Sequence, residues 1–275
     1  MRLLFITDLH GDARKYDKVC KTAQQHNVDI VLNGGDMLPH NGTLFHQDRF
    51  ITGYLHKHFQ CFEEARIYYL CFLGNDDLKI FDPLFEETCR QYYYVHNLAQ
   101  RRVAIHDREF IGMNWIVDTP FRLKDRCRKD TPDFIFPAQV AKALISTEQG
   151  WQELDNWLEY AETLPTISDE LDMLPRPLNI QQSVYMIHMP PAHLGLDVCR
   201  DGRQVGSKAI YQFLHEHQPG YALHGHIHES PEVSGIWRAS LGNTTCIQPG
   251  QMARFTYVII DLAVNTIERH VEQVR

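Results

Sequence analysis

A chain of 275 residues with 44% hydrophobic and 23% charged residues has the make-up of an ordinary soluble globular protein with room for a large core. Its formal net charge of −8 disfavours a non-specific grip on a phosphate backbone. The seven cysteines are odd in number, widely spaced and without a Cys-x-x-Cys, so the expectation is reduced thiols. The first apolar run, Leu3 to Ile6, is too short for a signal-peptide core, and no run approaches a membrane span. The expected location is therefore the cytoplasm.

Apolar runs of strand length come first at Leu3–Ile6, Ile30–Leu32 and Ile67–Leu73. Helical patterns lie between and after them, at Ala13–Asn27, Gln47–Arg66 and Asp82–Arg90. Strand alternating with helix predicts βαβ units and a largely parallel sheet, and the continuous runs suit strands buried on both faces. A further strand is predicted at Phe110–Val117. Residues 121–180 then open on the basic stretch Arg122–Lys129, give two helical candidates at Pro137–Gln149 and Trp151–Thr163, and close on Pro175-Arg176-Pro177. The segment reads as a partly helical insertion over the sheet edge, either a solvated surface element or a lid on a pocket. Strands at Val184–Ile187 and Tyr221–Leu223 flank a helix at Ser207–Gln218, which Ser207 is placed to cap. That helix start has an alternative role as an anion site. From Val233 to Val274, three or four strands with short turns predict antiparallel pairing. The whole of 1–275 is expected to be one domain.

The chemistry sits at the strand ends. Asp8-Leu-His10 follows the first strand, Gly35-Asp36 the second, Gly74-Asn75-Asp76 the third, His188 the next, and Gly225-His226-Ile-His228 the last of the parallel set. In open α/β sheets ligands collect beyond the carboxyl ends of the strands, so these motifs are expected to meet on one rim. Taken singly, His188 reads as a core histidine and Asp12 as the cap of the first helix. Taken together, Asp8, His10, Asp36, Asn75, His188, His226 and His228 offer carboxylate, amide and imidazole, a donor set that suits manganese, iron, zinc or nickel. His56 with His58, and His215 with His217, lie on helical patterns and are expected in solvent. His40, His193 and His224 are neighbours of the set and candidates for supporting or substrate contacts.

In this order the motifs resemble the calcineurin-like metallophosphoesterase superfamily, over nearly the full chain. The segment from His188-Met-Pro-Pro to His228-Glu-Ser230 is similar to a prokaryotic branch of uncharacterised phosphoesterases. The resemblance implies a four-layer αββα fold, a two-sheet mixed β-sandwich with helices on both faces. It implies two divalent ions, one on Asp8, His10 and His228, the other on Asn75, His188 and His226, with Asp36 between them. It implies hydrolysis of a phosphomonoester or phosphodiester, in a small molecule or nucleotide, by attack of a metal-bridging hydroxide. A nuclease of the same superfamily and a non-catalytic scaffold with this fold are the alternatives. The departure is at Asp76, where many relatives carry a histidine thought to protonate the leaving oxygen. Asp76, His193 and His40 are the candidates for that proton; the alternatives are that Asp76 is an orienting group or that a good leaving group needs no proton.

Overall fold

The computed structural model describes residues 1–274. In chain order it has β1 (Arg2–Ile6), the helix Ala13–Gln25, β2 (Ile30–Asn33), a helical run from 44 to 65, β3 (Tyr68–Cys71), the helix Asp82–Arg90, β4 (Val95–Asn97), β5 (Arg102–Ile105), β6 (Arg108–Met113) and β7 (Ile116–Val117). There follow β8 (Cys127–Arg128), β9 (Ala143–Thr147), β10 (Gly150–Leu154), the helices Trp157–Glu162 and Ile167–Met173, β11 (Ser183–Ile187), the helix Lys208–His217 and β12 (Tyr221–Leu223). The chain ends with β13 (Arg238–Leu241), β14 (Thr244–Ile247), β15 (Phe255–Asp261) and β16 (Thr266–Glu272).

Two six-stranded mixed sheets result, ordered β16-β15-β1-β2-β3-β4 and β13-β14-β12-β11-β6-β5. Side-chain alternation along each central strand builds the layers. Leu3 and Phe5 of β1, with Ile30 and Leu32 of β2, meet Val184 and Met186 of β11 in a core between the sheets. Leu4, Ile6 and Val31 point the other way, into a core with Tyr16, Val19, Phe59 and Phe62 from the helices. Tyr185 and Ile187 do the same on the far side, against Ala161, Leu171, Ile210 and Phe213. The result is the four-layer αββα arrangement, and it explains why these strands are apolar without alternation. Each such buried side chain contributes about 1.5–3 kcal/mol by leaving water.

Asp12 caps the helix Ala13–Gln25 by accepting from the Arg14 N–H. The run from 44 to 65 is one continuous helix whose Phe50–Leu55 segment is a π-helix. The four tail strands form two antiparallel hairpins, β13–β14 and β15–β16, one in each sheet. No helix among the described residues is long and apolar enough to cross a membrane.

Three local expectations are corrected. Pro137–Gln149 is not a helix, and Trp151–Thr163 is only partly one. The chain there makes the hairpin β9–β10, with Thr147 opposite Gly150, before the helix starts at Trp157. Gly150 takes φ +111°, a backbone that glycine adopts freely, and the turn overrides a short apolar spacing that fits either element. The cysteines are not all reduced thiols, because Cys20 and Cys61 are disulfide-bonded. They lie on helices that pack on the same core, a proximity that sequence spacing does not report.

Candidate metal centre

The strand-end loops converge as the topology requires. Backbone bonds pair them: the Asp8 N–H donates to the Gly35 carbonyl at 2.9 Å, His10 N–H to the Asp36 carbonyl at 2.9 Å, and Gly225 N–H to the His188 carbonyl at 2.9 Å. Asp8 (φ +53°), His10 (+45°), Asp36 (+50°) and His226 (+66°) all hold left-handed backbones. For residues other than glycine this costs on the order of 1–3 kcal/mol each, and such strain gathers at functional sites. Two glycines give the room. A Cβ at Gly74 would collide with Asp36 Oδ1, and one at Gly225 would collide with Thr7 Oγ1 and sit 2.8 Å from Asp8 Oδ2.

The side chains converge on Asp36. His188 is fully buried, and its Nδ1–H donates to the Gly34 carbonyl at 2.7 Å. Its Nε2 then lies 2.9 Å from Asn75 Oδ1 and 3.4 Å from Asp36 Oδ2. Asn75 is oriented by donating its Nδ2 to Asp76 Oδ1 at 2.9 Å. His10 Nε2 stands 3.9 Å from the same Asp36 Oδ2. Both ring nitrogens of His10 and Asp8 Oδ2 are buried without a hydrogen-bond partner. Buried polar atoms left without a partner beside Asp36 are the kind that a bound cation satisfies.

Two groups of potential ligand atoms lie within 4.8 Å of one another, Asp8 with His10 and Asp36, and Asp36 with His188 and His226. Asp36 is common to both. A third group, His10, His40 and Asp76, opens toward solvent. His228 stands outside these groups, its ring 5.6 Å from that of His10 and its Nδ1 3.5 Å from Glu229 Oε2.

Burial sets the charge states. It holds the imidazoles of His10 and His226 down to about 3, which leaves them neutral and able to donate a lone pair. Burial also raises the Asp8 carboxyl. For Asp36, burial pushes upward but the neighbouring His188 outweighs it and keeps the carboxyl well below the usual range. Burial likewise opposes charge on His188, yet Asp36 and Asp8 raise it to about 9. A proton on His188 thus supplies part of the positive charge the cluster calls for. Asp76 is raised by desolvation first and then by Asp36 and Asp77.

Several supporting residues have no sequence signal. Asp77 is fully buried and accepts from Met37 N–H (2.9 Å), Leu38 N–H (2.8 Å) and Gly74 N–H (2.7 Å), tying two strand-end loops together. Gln248 donates to the carbonyls of Gly225 and Ile227 and holds the last loop. Arg126, from the basic stretch, is buried and donates its Nε to the Gly74 carbonyl at 2.7 Å. A carboxylate two residues after Gly-Asn carries no mark distinguishing structural from chemical duty.

The remaining candidates separate. His40 is exposed but its ring lies 4.2 Å from that of His10. His224 is buried with Nδ1 on the Ile187 and Met189 carbonyls, a supporting position behind the loop. His193 packs on Tyr211 and is not among the residues that line the cavity next to the cluster. His58 is buried, not solvated. The start of the helix Lys208–His217 is not open to an anion. The Asp130 carboxylate already accepts from the Ser207 hydroxyl and the Lys208 N–H. Beyond the exposed Arg122, the basic stretch to Lys129 is not a solvated surface either. Lys124, Arg126, Arg128 and Lys129 are buried and paired with Asp118, Asp82, Glu170 and Glu162.

Residues 1–230 match the family model described as calcineurin-like phosphoesterase. Three crystal structures share the fold. One has 18% identity and a TM-score of 0.64, covering 100% of this chain and 99% of the other. TT1561 of Thermus thermophilus has 17% identity and a TM-score of 0.58, covering 100% and 99%. A dimetal phosphatase from Danio rerio has 10% identity and a TM-score of 0.52, covering 100% and 96%. No curated protein matches the chain.

Proposed function

The chain belongs to the calcineurin-like phosphoesterase family, and from that premise we propose that it hydrolyses a phosphomonoester or phosphodiester of a small molecule or nucleotide at a dinuclear metal centre. The observation that carries this is the convergence of metal-ligand atoms on Asp36 Oδ2, with His10 Nε2, buried without a partner, at 3.9 Å on one side and His188 Nε2 at 3.4 Å on the other. Asp8, His10 and His228 would hold one divalent ion, Asn75, His188 and His226 the second, and Asp36 both. The donors are imidazole, carboxylate and amide, so manganese, iron, zinc or nickel fits and a thiolate-seeking metal does not. Bound there, the pair would supply Lewis-acid polarisation of the phosphoryl oxygens and a nucleophilic water at neutral pH.

The chain's own residues do the rest. Gly34 fixes the His188 tautomer, and Asp76 turns the Asn75 oxygen inward. The Asp76 backbone N–H donates to Asp36 Oδ1 at 2.8 Å, which leaves Oδ2 for the centre. Asp76 lines the cavity beside Asn75 and is our candidate for protonating the leaving oxygen. We do not assign that role to His193, which lies off the cavity. The nuclease alternative loses its main support, because the basic stretch is consumed by internal ion pairs. The scaffold alternative is disfavoured by a full set of donors. We read the protein as cytoplasmic and 1–275 as one domain, supported by the continuous core between the two sheets.

The test is a panel of mono- and bis-aryl phosphates with manganese, alongside metal analysis. The wild type should carry close to two metals per chain and turn over at least one ester. Asp36→Ala should lower kcat/KM by more than about a hundredfold, since even supporting residues around metals cost 10–100-fold. Equal activity in Asp36→Ala would sink the reading.

A further inference from the structure

The cavity next to the cluster is larger than a phosphoryl group needs. At about 760 Å³ it is of the size that encloses a whole organic ligand. Its walls differ in chemistry. Asp36, Asn75 and His226 of the cluster are part of its lining. Apolar lining comes from Ile116, Phe121 and Leu123 in the chain beyond β6 and from Met189 beyond β11. Charged lining comes from Arg200 and the Arg203–Asp201 ion pair.

The segment that bears Phe121 and Leu123 is a built wall. Lys124 and Asp118 form an ion pair at 2.7 Å with both side chains fully buried. The same ammonium donates to the Thr119 carbonyl, Gln139 Nε2 donates to Asp118 Oδ2 at 2.9 Å, and Val140 N–H donates to the Pro120 carbonyl at 3.0 Å. A buried ion pair is a poor source of net stability but fixes geometry. Here it locks the loop that presents Phe121. That ring is 66% exposed and stacks on no other ring among the described residues, although it borders a preformed apolar cavity.

We propose that this wall is the subsite for an apolar, aryl-sized organic group of the phosphate ester, and that Phe121 and Leu123 are the residues that select it. The proposal rests on the catalytic reading above for the placement of the phosphoryl group. Covering an aromatic ring on one face by such a wall is worth about tenfold in affinity or more.

The experiment compares two non-hydrolysable probes, methylphosphonate and 1-naphthylphosphonate, by titration calorimetry on the manganese-loaded protein. Turnover of 4-nitrophenyl phosphate and of bis(4-nitrophenyl) phosphate is measured in parallel. The wild type should bind the naphthyl probe at least tenfold more tightly. Phe121→Ser, and the double variant with Leu123→Ser, should bring that ratio within about threefold of unity. Leu178→Ser, an exposed apolar residue outside the cavity lining, should leave the ratio unchanged. A wild-type ratio near one, or a ratio that neither Phe121→Ser nor the double variant moves, overturns the proposal. Turnover without aryl selectivity defeats the subsite alone. Aryl-selective binding without turnover supports the subsite and defeats the catalytic reading.

Discussion

His58 shows how a single residue escapes its sequence context. Next to exposed His56 on one helix, it faces inward among Tyr16 (ring centroids 4.8 Å), Phe62 (4.9 Å) and Tyr69 (5.2 Å), and its Nε2 has no partner. Burial lowers its pKa from 6.5 to about 3. The folded form therefore keeps it neutral, while the unfolded chain takes up a proton below 6.5. Its contribution is complete above that pH and is lost as pH falls toward 3. At pH 5 the loss is about 2 kcal/mol, from 1.36 kcal/mol per unit. His58→Phe should flatten this limb. Urea midpoints at pH 7.5 and pH 5 should differ less in the variant, and an unchanged difference would rule the explanation out. Asp77 is the matching case at the site. Asp77→Ala leaves three buried N–H groups without an acceptor, at about 1–3 kcal/mol each and not fully additive. A loss of at least about 3 kcal/mol in urea unfolding is expected, along with weaker metal retention. The Asp8, His10, Asp36 and His226 positions were legible as motifs, because the residue types announce the chemistry. Their left-handed backbones were not, since nothing in a motif reports the φ that tertiary contacts impose.

At the scale of elements, the strands bearing the motifs were readable because each must bury both faces. The insertion was not, because its physics is long-range. Arg122–Lys129 has the composition of a solvated face, yet the pairing acids Asp118, Asp82, Glu170 and Glu162 lie up to dozens of residues away. Arg126 matters most among these cations, since it joins the insertion to the Gly74-Asn75 turn. Arg126→Met removes the donor to a buried carbonyl and leaves Asp82 unpaired. Asp82 is 40% exposed, so water relieves part of the penalty, and the expected cost is about 2 kcal/mol rather than the 3–5 of a fully buried pair. Activity should fall as well, because the turn carrying Asn75 loses its support. Lys142→Met, at an exposed ion pair, is the control and should change stability by less than about 1 kcal/mol. Equal effects of the two in denaturant unfolding and in kcat/KM would refute a role for Arg126 in the turn.

At the scale of the molecule, the two sheets supply different parts of one site. Asp8, His10, Asp36 and Asn75 follow strands of the first sheet, and His188, His226 and His228 follow strands of the second. Between the sheets, Asp8 Oδ2 and both ring nitrogens of His10 are buried without a partner. An ion shared through Asp36 would bind the folded sandwich and not the unfolded chain, so it would act as a clasp between the sheets. At a free metal concentration a hundred times Kd, each ion adds about 2.7 kcal/mol of stability. For a chain of this size that is roughly 5–10 °C per ion. Chelation should therefore lower the Tm of the wild type by at least that much, and manganese should restore it. Asp36→Ala should start lower and respond far less to chelator, because the residue common to both halves is gone. A wild-type Tm indifferent to chelation, or an equal shift in Asp36→Ala, would mean that no metal joins the sheets.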